Sequence, residues 1–477
     1  MLLTPWLYQC MVRPDAIALA ENDKQITYAT LLERAYAIAA ALQAMGVRPG
    51  QRAAIQMERG IAAAAALFGA LLAGVCYVPL DIKNPPERRA FIIKDAGAAV
   101  VLGSGDQPQD LAEGTPWFNI DLCPPAQPFD VKILESDLAM ILYTSGSTGH
   151  PKGVALSHGA VAAFAAWAAG LVKLCPCDRI ASSAPFFFDL STFDLYAVLG
   201  RGASLHFVPS NFFLAPARLG AWLQEQKISG WYTVPSLLSF LAYKGNLTKK
   251  PPDFRFLLFA GEIFPTPDLL RLANALPHTA LYNLFGPTET NVCCCWPVER
   301  SLLDPLSAIP IGLPACGAVL EIEPGNGELW VRGPALLSGY WSEGRLHNAL
   351  NSAGWYPTGD RVSRNERGEY SFHGRLGRML KCSGYRIEPA EIETVLCGLD
   401  GVAACAVVGL HASATGQHPA AALVLEQPLT LHEVRKHVQR QLPSYMQPYR
   451  YLVLDMLPRL SNGKVDYLQI CTLLEND

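Results

Sequence analysis

The sequence predicts an α/β protein, with a large N-terminal domain of helix-covered, mostly parallel sheets that includes a small β-subdomain, and a small α+β C-terminal domain. Three observations carry that expectation. Short β-rich runs alternate with helical segments from Ala53 to Leu284, the pattern of parallel strands joined by crossover helices. After about residue 310 closely spaced strands separated by Gly and Pro turns take over. A chain of 477 residues, half of them apolar, also exceeds what one ordinary core can organise.

The elements follow in order. Thr30 and Glu33 read as a capping box, with Leu31, Ala35, Ile38, Leu42 and Met45 at helical spacing and Gly46 as the stop. Ile61 to Leu80 is a run of 20 uncharged residues, long enough to raise a membrane helix. Its Ala-rich first part, the break at Gly74 and the β-like Val75–Val78 favour a buried helix followed by a buried strand, and no membrane. Strands are expected at 53–57, 98–102, 140–143, 204–208, 230–234, 256–259 and 280–284, then at 318–322, 328–332 and 369–373 in the β-subdomain. From about Lys381 helices (390–397, 431–441) mix with strands (403–408, 421–425). The chain is expected to divide into 1–376 and 377–477.

Composition bounds the function. Charged residues make up 17% and the net charge is −4, which excludes wholesale disorder and offers no basic stripe for nucleic acid. Thirteen cysteines are too few for a disulfide scaffold at this length. Met1–Trp6 is too short and uncharged for a secretion signal, so a cytoplasmic, reducing setting is expected.

Five short segments carry chemistry. The first is Tyr143-Thr144-Ser145-Gly146-Ser147-Thr148-Gly149-His150-Pro151-Lys152-Gly153, between two strands. Its backbone N–H groups, four hydroxyls and terminal lysine make a polyphosphate cradle. Pro151 before the lysine excludes a Walker A loop. The second, Asn283-Leu284-Phe285-Gly286-Pro287-Thr288-Glu289-Thr290, sets a carboxylate at a strand's carboxyl end, where a metal or ligand is met. The third, Tyr356-Pro357-Thr358-Gly359-Asp360, offers an acid for ribose hydroxyls. The fourth runs from Gly374-Arg375 through Lys381-Cys382-Ser383-Gly384-Tyr385-Arg386-Ile387-Glu388, and the fifth is Asn462-Gly463-Lys464. The last four are common turn sequences taken singly. His432 and His437 lie five apart and cannot share a metal on a helix, and Cys175, Cys177 and Cys293–Cys295 lack zinc spacing and read as buried or neutral cysteines. No GxSxG elbow is present.

In this order the five segments resemble the adenylate-forming enzymes, over nearly the whole chain. That resemblance implies ATP and Mg²⁺ as cofactors and a mobile C-terminal domain. It places the triphosphate on Thr144, Ser145, Gly146, Ser147, Thr148 and Gly149 with Lys152, the α-phosphate on Thr288, and Mg²⁺ on Glu289. It implies that Phe285, next to Gly286, stacks on adenine in a pocket with Asn283, Gly261 and Glu262, and that Asp360 and Arg375 hold the ribose. Lys464 would bridge the substrate carboxylate as the adenylate forms. The C-terminal domain would then rotate about a hinge, replacing Lys464 with the 381–386 segment. The family's hinge position, usually Asp or Lys, is Gly377 here.

The same resemblance reads the substrate as an amino acid. Phe186-Phe187-Phe188-Asp189-Leu190-Ser191-Thr192-Phe193 carries, at Asp189, the acid that pairs with the α-ammonium in amino-acid-activating members. The other carried-over pocket positions are Leu190, Phe193, Tyr232, Leu258, Ala260, Leu284, Val292 and Cys293, an apolar wall without a charge. The set is similar to free-standing enzymes that activate L-proline and load a separate carrier protein in trans. Ligases for D-alanine, or for acyl or aryl acids handed to CoA, remain alternatives. So does a nucleotide-binding regulatory protein without chemistry.

Overall fold

Alternation of burial along the strands sets the layers. A computed structural model describes residues 1–111, 114–146, 149–247, 250–382, 384–412, 416–460 and 464–476. In the strand Phe256–Phe259, Phe256 and Leu258 enter one core while Leu257 and Phe259 enter another, so both faces of its sheet are covered. That sheet has nine strands, in the order Leu313–Pro314, Cys294–Pro297, Ala280–Phe285, Phe256–Phe259, Gly230–Thr233, Arg179–Ser182, Ser204–Phe207, Ile17–Glu21, Lys24–Thr27. The middle six are parallel and the edges antiparallel. In an eight-stranded sheet, Ala53 and Ile55 face the same inner core and Ala54 the outside.

Helices fill the space between the sheets and coat their outer faces. Tyr28–Ala44, Ile61–Leu72 and His158–Leu171 contribute to the shared core. Pro216–Glu225, Pro235–Lys244 and Thr266–Ala275 cover the nine-stranded sheet, and Pro86–Ala96 covers the other. Every residue of Ile61–Leu72 except Ala62 is buried, which explains an apolar helix with no polar face. Among the described residues no helix is long and apolar enough to cross a membrane. A four-stranded antiparallel sheet, 319–322, 328–332, 356–364 and 370–375, forms the β-subdomain. From Leu380 onward the chain builds cores of its own around a five-stranded sheet.

Two local expectations are corrected. A helix at Thr4–Val12 precedes the one expected after Thr30, and that second helix starts at Tyr28: Thr27 is extended, and its hydroxyl accepts the Thr30 N–H at 3.2 Å, so Thr30 already lies in the first turn. A capping box does form at Thr430 and Glu433. Cys175 and Cys177 are joined in a disulfide rather than being separate neutral thiols, because the Pro176 link brings their Cα atoms to 5.4 Å. These two and Asp178 form the one three-residue cluster close enough to hold a metal among the described residues. The sulfurs are taken by each other, and Asp178 by Arg255 (2.6 and 2.9 Å) and Ser229 (2.7 Å). Cys293, Cys294 and Cys295 are buried as expected.

Close approach of two core helices requires Gly69. A Cβ there would lie 2.8 Å from Ile38 Cβ and 2.9 Å from the Ala35 carbonyl oxygen. Helix propensity favours Ala over Gly by about 1 kcal/mol, whereas overpacking a tight core costs about 1–3 kcal/mol. Gly69→Ala is therefore expected to lower the denaturation midpoint, and a midpoint at or above the wild type would show that the helices can part.

Candidate active site

Carboxyl ends of the parallel strands converge on one cleft. Strand Phe256–Phe259 delivers Ala260 and Gly261, Gly230–Thr233 delivers Val234, and Ala280–Phe285 delivers the Gly286–Glu289 loop. Tight turns place the backbone: Gly261 sits at φ +90°, and a Cβ on Gly286 would meet the Asn291 carbonyl oxygen at 2.4 Å. From the C-terminal side the cleft is closed by Lys381, Gly384, Tyr385, Arg386 and Tyr445.

Glu289 is the electrostatic centre. Its side chain has no solvent exposure. Arg386 Nη1 lies 3.0 and 3.2 Å from its two oxygens, Tyr340 Oη donates to Oε1 at 2.8 Å, and Lys152 Nζ stands at 3.9 Å. Burial alone would raise its pKa, but the Arg386 and Lys152 cations win and hold it at about 2. Lys152 also packs over the Tyr340 ring at 3.8 Å. Arg386 ends the 381–386 segment expected to replace Lys464, whereas Tyr340 is not singled out by the sequence. Tyr340 gave no signal, being a tyrosine in a β-run.

The phosphate loop joins the antiparallel strands Leu138–Thr144 and Lys152–Ser157. Thr144 Oγ1 is buried at the cleft wall without a hydrogen-bond partner among the described residues. Ser145 Oγ is engaged by the C-terminal segment: it donates to the Arg386 carbonyl at 2.8 Å and accepts the Glu388 N–H at 3.1 Å. Gly149 (φ +88°) lies so close beneath Thr394 that a Cβ would fall 2.2 Å from its hydroxyl. Ser147, Thr148, Ser383, Asn462 and Gly463 lie outside the described residues.

Asp360, the acid expected for ribose, lines the cleft together with Arg375. Asp360 and Arg375 are register partners on adjacent strands and pair at 2.7 Å. Phe285 lines the cleft, with Lys381 Nζ 5.9 Å from its ring centre. Glu262 is turned away: its carboxylate accepts from Ser236 N and Oγ at 2.7 and 3.1 Å and faces the Gly384 N–H. Asn283 donates its amide to the Pro310 carbonyl at 2.8 Å and does not line the cleft.

Asp189 lies at the floor. The Thr288 hydroxyl and the Leu190 N–H bond to its carboxylate, yet burial, assisted by the Glu289 charge, raises its pKa to about 6. Leu190, Tyr232 and Ala260 line the cleft beside it. Phe193, Leu258, Leu284 and Val292 are fully buried behind that wall, with the Phe193 ring edge-on to Tyr232 at 5.6 Å. Cys293 faces the β-subdomain core instead. Val234, Pro287 and Asn291 line the cleft without having been singled out, and Asn291 (φ +54°) donates to Thr192 Oγ1 at 3.1 Å, tying the two floor loops together. Beyond Phe188 and Tyr385 (4.9 Å) the cleft runs to Asn84, which it shares with a second opening between residues 83–87 and 439–447.

Lys464 is exposed and does not line the cleft, so the 381–386 segment holds the position beside Glu289 in this arrangement. Gly377 falls between two anchors of opposite allegiance. Arg375 is fixed to Asp360, and Arg378 to Glu393 of the helix Pro389–Cys397 at 2.6 and 2.9 Å. Nothing lies within 4 Å of a Cβ built on Gly377.

Residues 7–341 match the family model of the AMP-binding enzymes, and residues 391–464 that of the AMP-binding enzyme C-terminal domain. The chain belongs to the AMP-binding enzyme family. It is an AMP-forming ligase by that membership, and ATP use follows. It is 38% identical to an L-proline--[L-prolyl-carrier protein] ligase of Streptomyces coelicolor, over 93% of this chain and 91% of the relative. It is 36% identical to a protein of the same name from Pseudomonas fluorescens, over 97% of each. In fold it follows the Bacillus subtilis o-succinylbenzoate CoA synthetase, at 24% identity. The TM-score is 0.89 against that enzyme with its product analogue OSB-NCoA (99% of this chain, 98% of the other), and 0.71 against its AMP complex (97% and 96%).

Proposed function

We propose that the enzyme activates L-proline with ATP as prolyl-AMP, releasing pyrophosphate, and then transfers the prolyl group to the phosphopantetheine thiol of a separate carrier protein. The observation that carries this reading is Asp189, a single acid at the floor of an otherwise apolar wall. Proline's secondary ammonium offers two N–H donors to that carboxylate, and its ring is a compact apolar body beside Leu190, Tyr232 and Ala260. The names of the two long-range relatives support the same substrate and acceptor.

The chemistry needs little beyond orientation and charge. The proline carboxylate attacks the α-phosphorus and the pyrophosphate bond breaks, which brings two anions together. In this reading Thr288 meets the α-phosphate, Lys152 and the phosphate-loop donors meet the leaving pyrophosphate, and Asp360 with Arg375 meets the ribose. Glu289 fits Mg²⁺ as a hard oxygen ligand buried among phosphate-facing groups, and the ion would neutralise phosphate charge there. In this first arrangement Lys464 would stand at the reacting carboxylate. We place the domain division at 1–376 and 377–477, with Gly377 as the pivot that exchanges Lys464 for the 381–386 segment. The carrier thiol would then enter by the opening at Asn84, attack the acyl carbon and expel AMP.

An amino-acid-dependent pyrophosphate exchange panel tests the substrate. L-Proline is expected to drive exchange best, with D-alanine at least tenfold weaker in kcat/KM, since two missing ring carbons are worth about 1.5–2 kcal/mol. Charged amino acids are expected to be inactive, because their side chains would be buried without a partner. D-Alanine outperforming L-proline would move the enzyme to a different substrate class and leave adenylation standing.

The Asp189 carboxyl gives a pH dependence. It pairs with ammonium only when ionised, so binding is complete above its pKa of about 6 and is lost as pH falls through that value. Between pH 7 and pH 5 the KM for L-proline should rise about tenfold at saturating ATP, and a flat KM over that range would remove Asp189 from the ammonium site.

Lys464→Ala is expected to cut pyrophosphate exchange by about a hundredfold or more, while sparing transfer from preformed prolyl-AMP. Equal loss in the two half-reactions would contradict a lysine that serves only the first.

A further inference from the structure

Glu391 is a buried anion that the adenylation chemistry leaves without a task. It lies on the helix Pro389–Cys397, is 2% exposed, and forms an ion pair with Arg88 of the helix Pro86–Ala96, itself 8% exposed. The two residues are 303 apart in sequence and belong to opposite sides of Gly377. The Gly146 N–H of the phosphate loop faces the same carboxylate, whose second oxygen has no hydrogen-bond partner among the described residues. From the same segment Glu388 N–H caps Ser145, and Thr394 covers Gly149. The loop that would cradle phosphate is thus occupied from above, with a carboxylate where an anion is wanted. A polyphosphate and this segment cannot hold those groups at once.

We propose that Glu391 is a positioning residue for carrier loading: its carboxylate takes the place of the departed pyrophosphate at the phosphate loop and locks there through Arg88. This rests on the domain rotation proposed above. Pyrophosphate release then permits closure, and pyrophosphate and the loading arrangement compete for one loop. The pair is no device for overall stability, because a buried pair gains little over the same ions in water. Its function is to make closure depend on the absence of phosphate.

The test separates the half-reactions in the full-length enzyme. Glu391→Gln keeps the side chain's shape and removes its charge. Pyrophosphate exchange should stay within twofold, and single-turnover transfer from enzyme-bound prolyl-AMP to the carrier should fall tenfold or more. Loss of both alike, or of neither, overturns the proposal. The charge swap Arg88→Glu with Glu391→Arg restores an ion pair but not the anion, so full recovery of transfer overturns it too. A second measurement needs no variant. Imidodiphosphate with Mg²⁺, added to enzyme without adenylate, should open the wild type as read by small-angle scattering, and open Glu391→Gln at a tenfold lower concentration. A wild type that stays closed overturns the proposal. The rotation is tested apart from this by Gly377→Pro, whose φ is fixed near −65°. Normal carrier loading by that variant sinks the rotation and the latch with it, whereas blocked loading by Gly377→Pro beside normal transfer by Glu391→Gln sinks the latch alone.

Discussion

Glu289 is ionised in a place where no water reaches it, and most of the site can be traced to that constraint. Taking a carboxylate out of water costs several kcal/mol unless a cation and hydrogen bonds replace the lost solvation. Arg386, Lys152 and the Tyr340 hydroxyl do so here, from three different parts of the chain. Each of these partners is fixed elsewhere. Lys152 starts the strand after the phosphate loop, Tyr340 is bonded at 3.0 Å to Tyr356 at the start of the strand that carries Asp360, and Arg386 belongs to the C-terminal segment. One buried charge therefore registers the phosphate loop, the β-subdomain and the C-terminal part against one another.

The parallel sheet separates this chemistry from the groups that hold the sheet together. The cleft lies at the carboxyl ends of the strands, where loops can vary. At the opposite ends, Asp178 ties three neighbouring strands through Cys175 N, Ser229 and Arg255. Its carboxylate is as buried as Glu289 but bonded within one rigid sheet. The contrast explains why two buried acids in one chain have different consequences. One fixes strand register permanently, and the other can be met by a group that moves.

Much of this was legible in the sequence because local pattern and local structure coincide. Strand alternation at 256–259 and 280–284, the all-round apolar helix after Gly60 and the phosphate loop all lie within short windows, and each sits within a residue or two of its expected position. The family resemblance put Asp360 and Arg375 together as one expected site, and the hairpin of strands Tyr356–Arg364 and Tyr370–Arg375 makes them register partners. What failed to show involved either distance or direction. Arg88 and Glu391 meet across 303 residues, and nothing near either one announces the other. Position along the chain puts Cys293 on the pocket wall, but in the loop before the strand Cys294–Pro297 it packs with Cys294 into the core of the β-subdomain, while Leu258 and Leu284 stand behind the wall rather than in it. The cap at Thr27 is hidden in the sequence because Thr30 and Glu33 match the capping-box pattern, whereas Thr27 has Thr30 rather than an acid three residues on and caps through its hydroxyl alone.

The interface between the two parts is charge-complementary in both directions: the C-terminal segment supplies Arg386 to an N-terminal acid and Glu391 to an N-terminal base. On the proposed mechanism, a metal–triphosphate would replace both at once, because its phosphates suit the loop that faces Glu391 and its metal suits the acid that holds Arg386. One ligand then opposes two of the contacts that close the enzyme, and each contact alone would be a weaker sensor. Linkage makes the coupling reciprocal. Whatever free energy the bound triphosphate loses on closure, the closed arrangement loses on binding triphosphate. An enzyme that must keep ATP chemistry and thioester chemistry apart in one cleft needs no separate signal for the change. On that mechanism the departure of pyrophosphate would free the anion site beside Glu391's place and leave Glu289 open to a cation, and the charges left unpaired in the cleft would favour the segment that carries their partners.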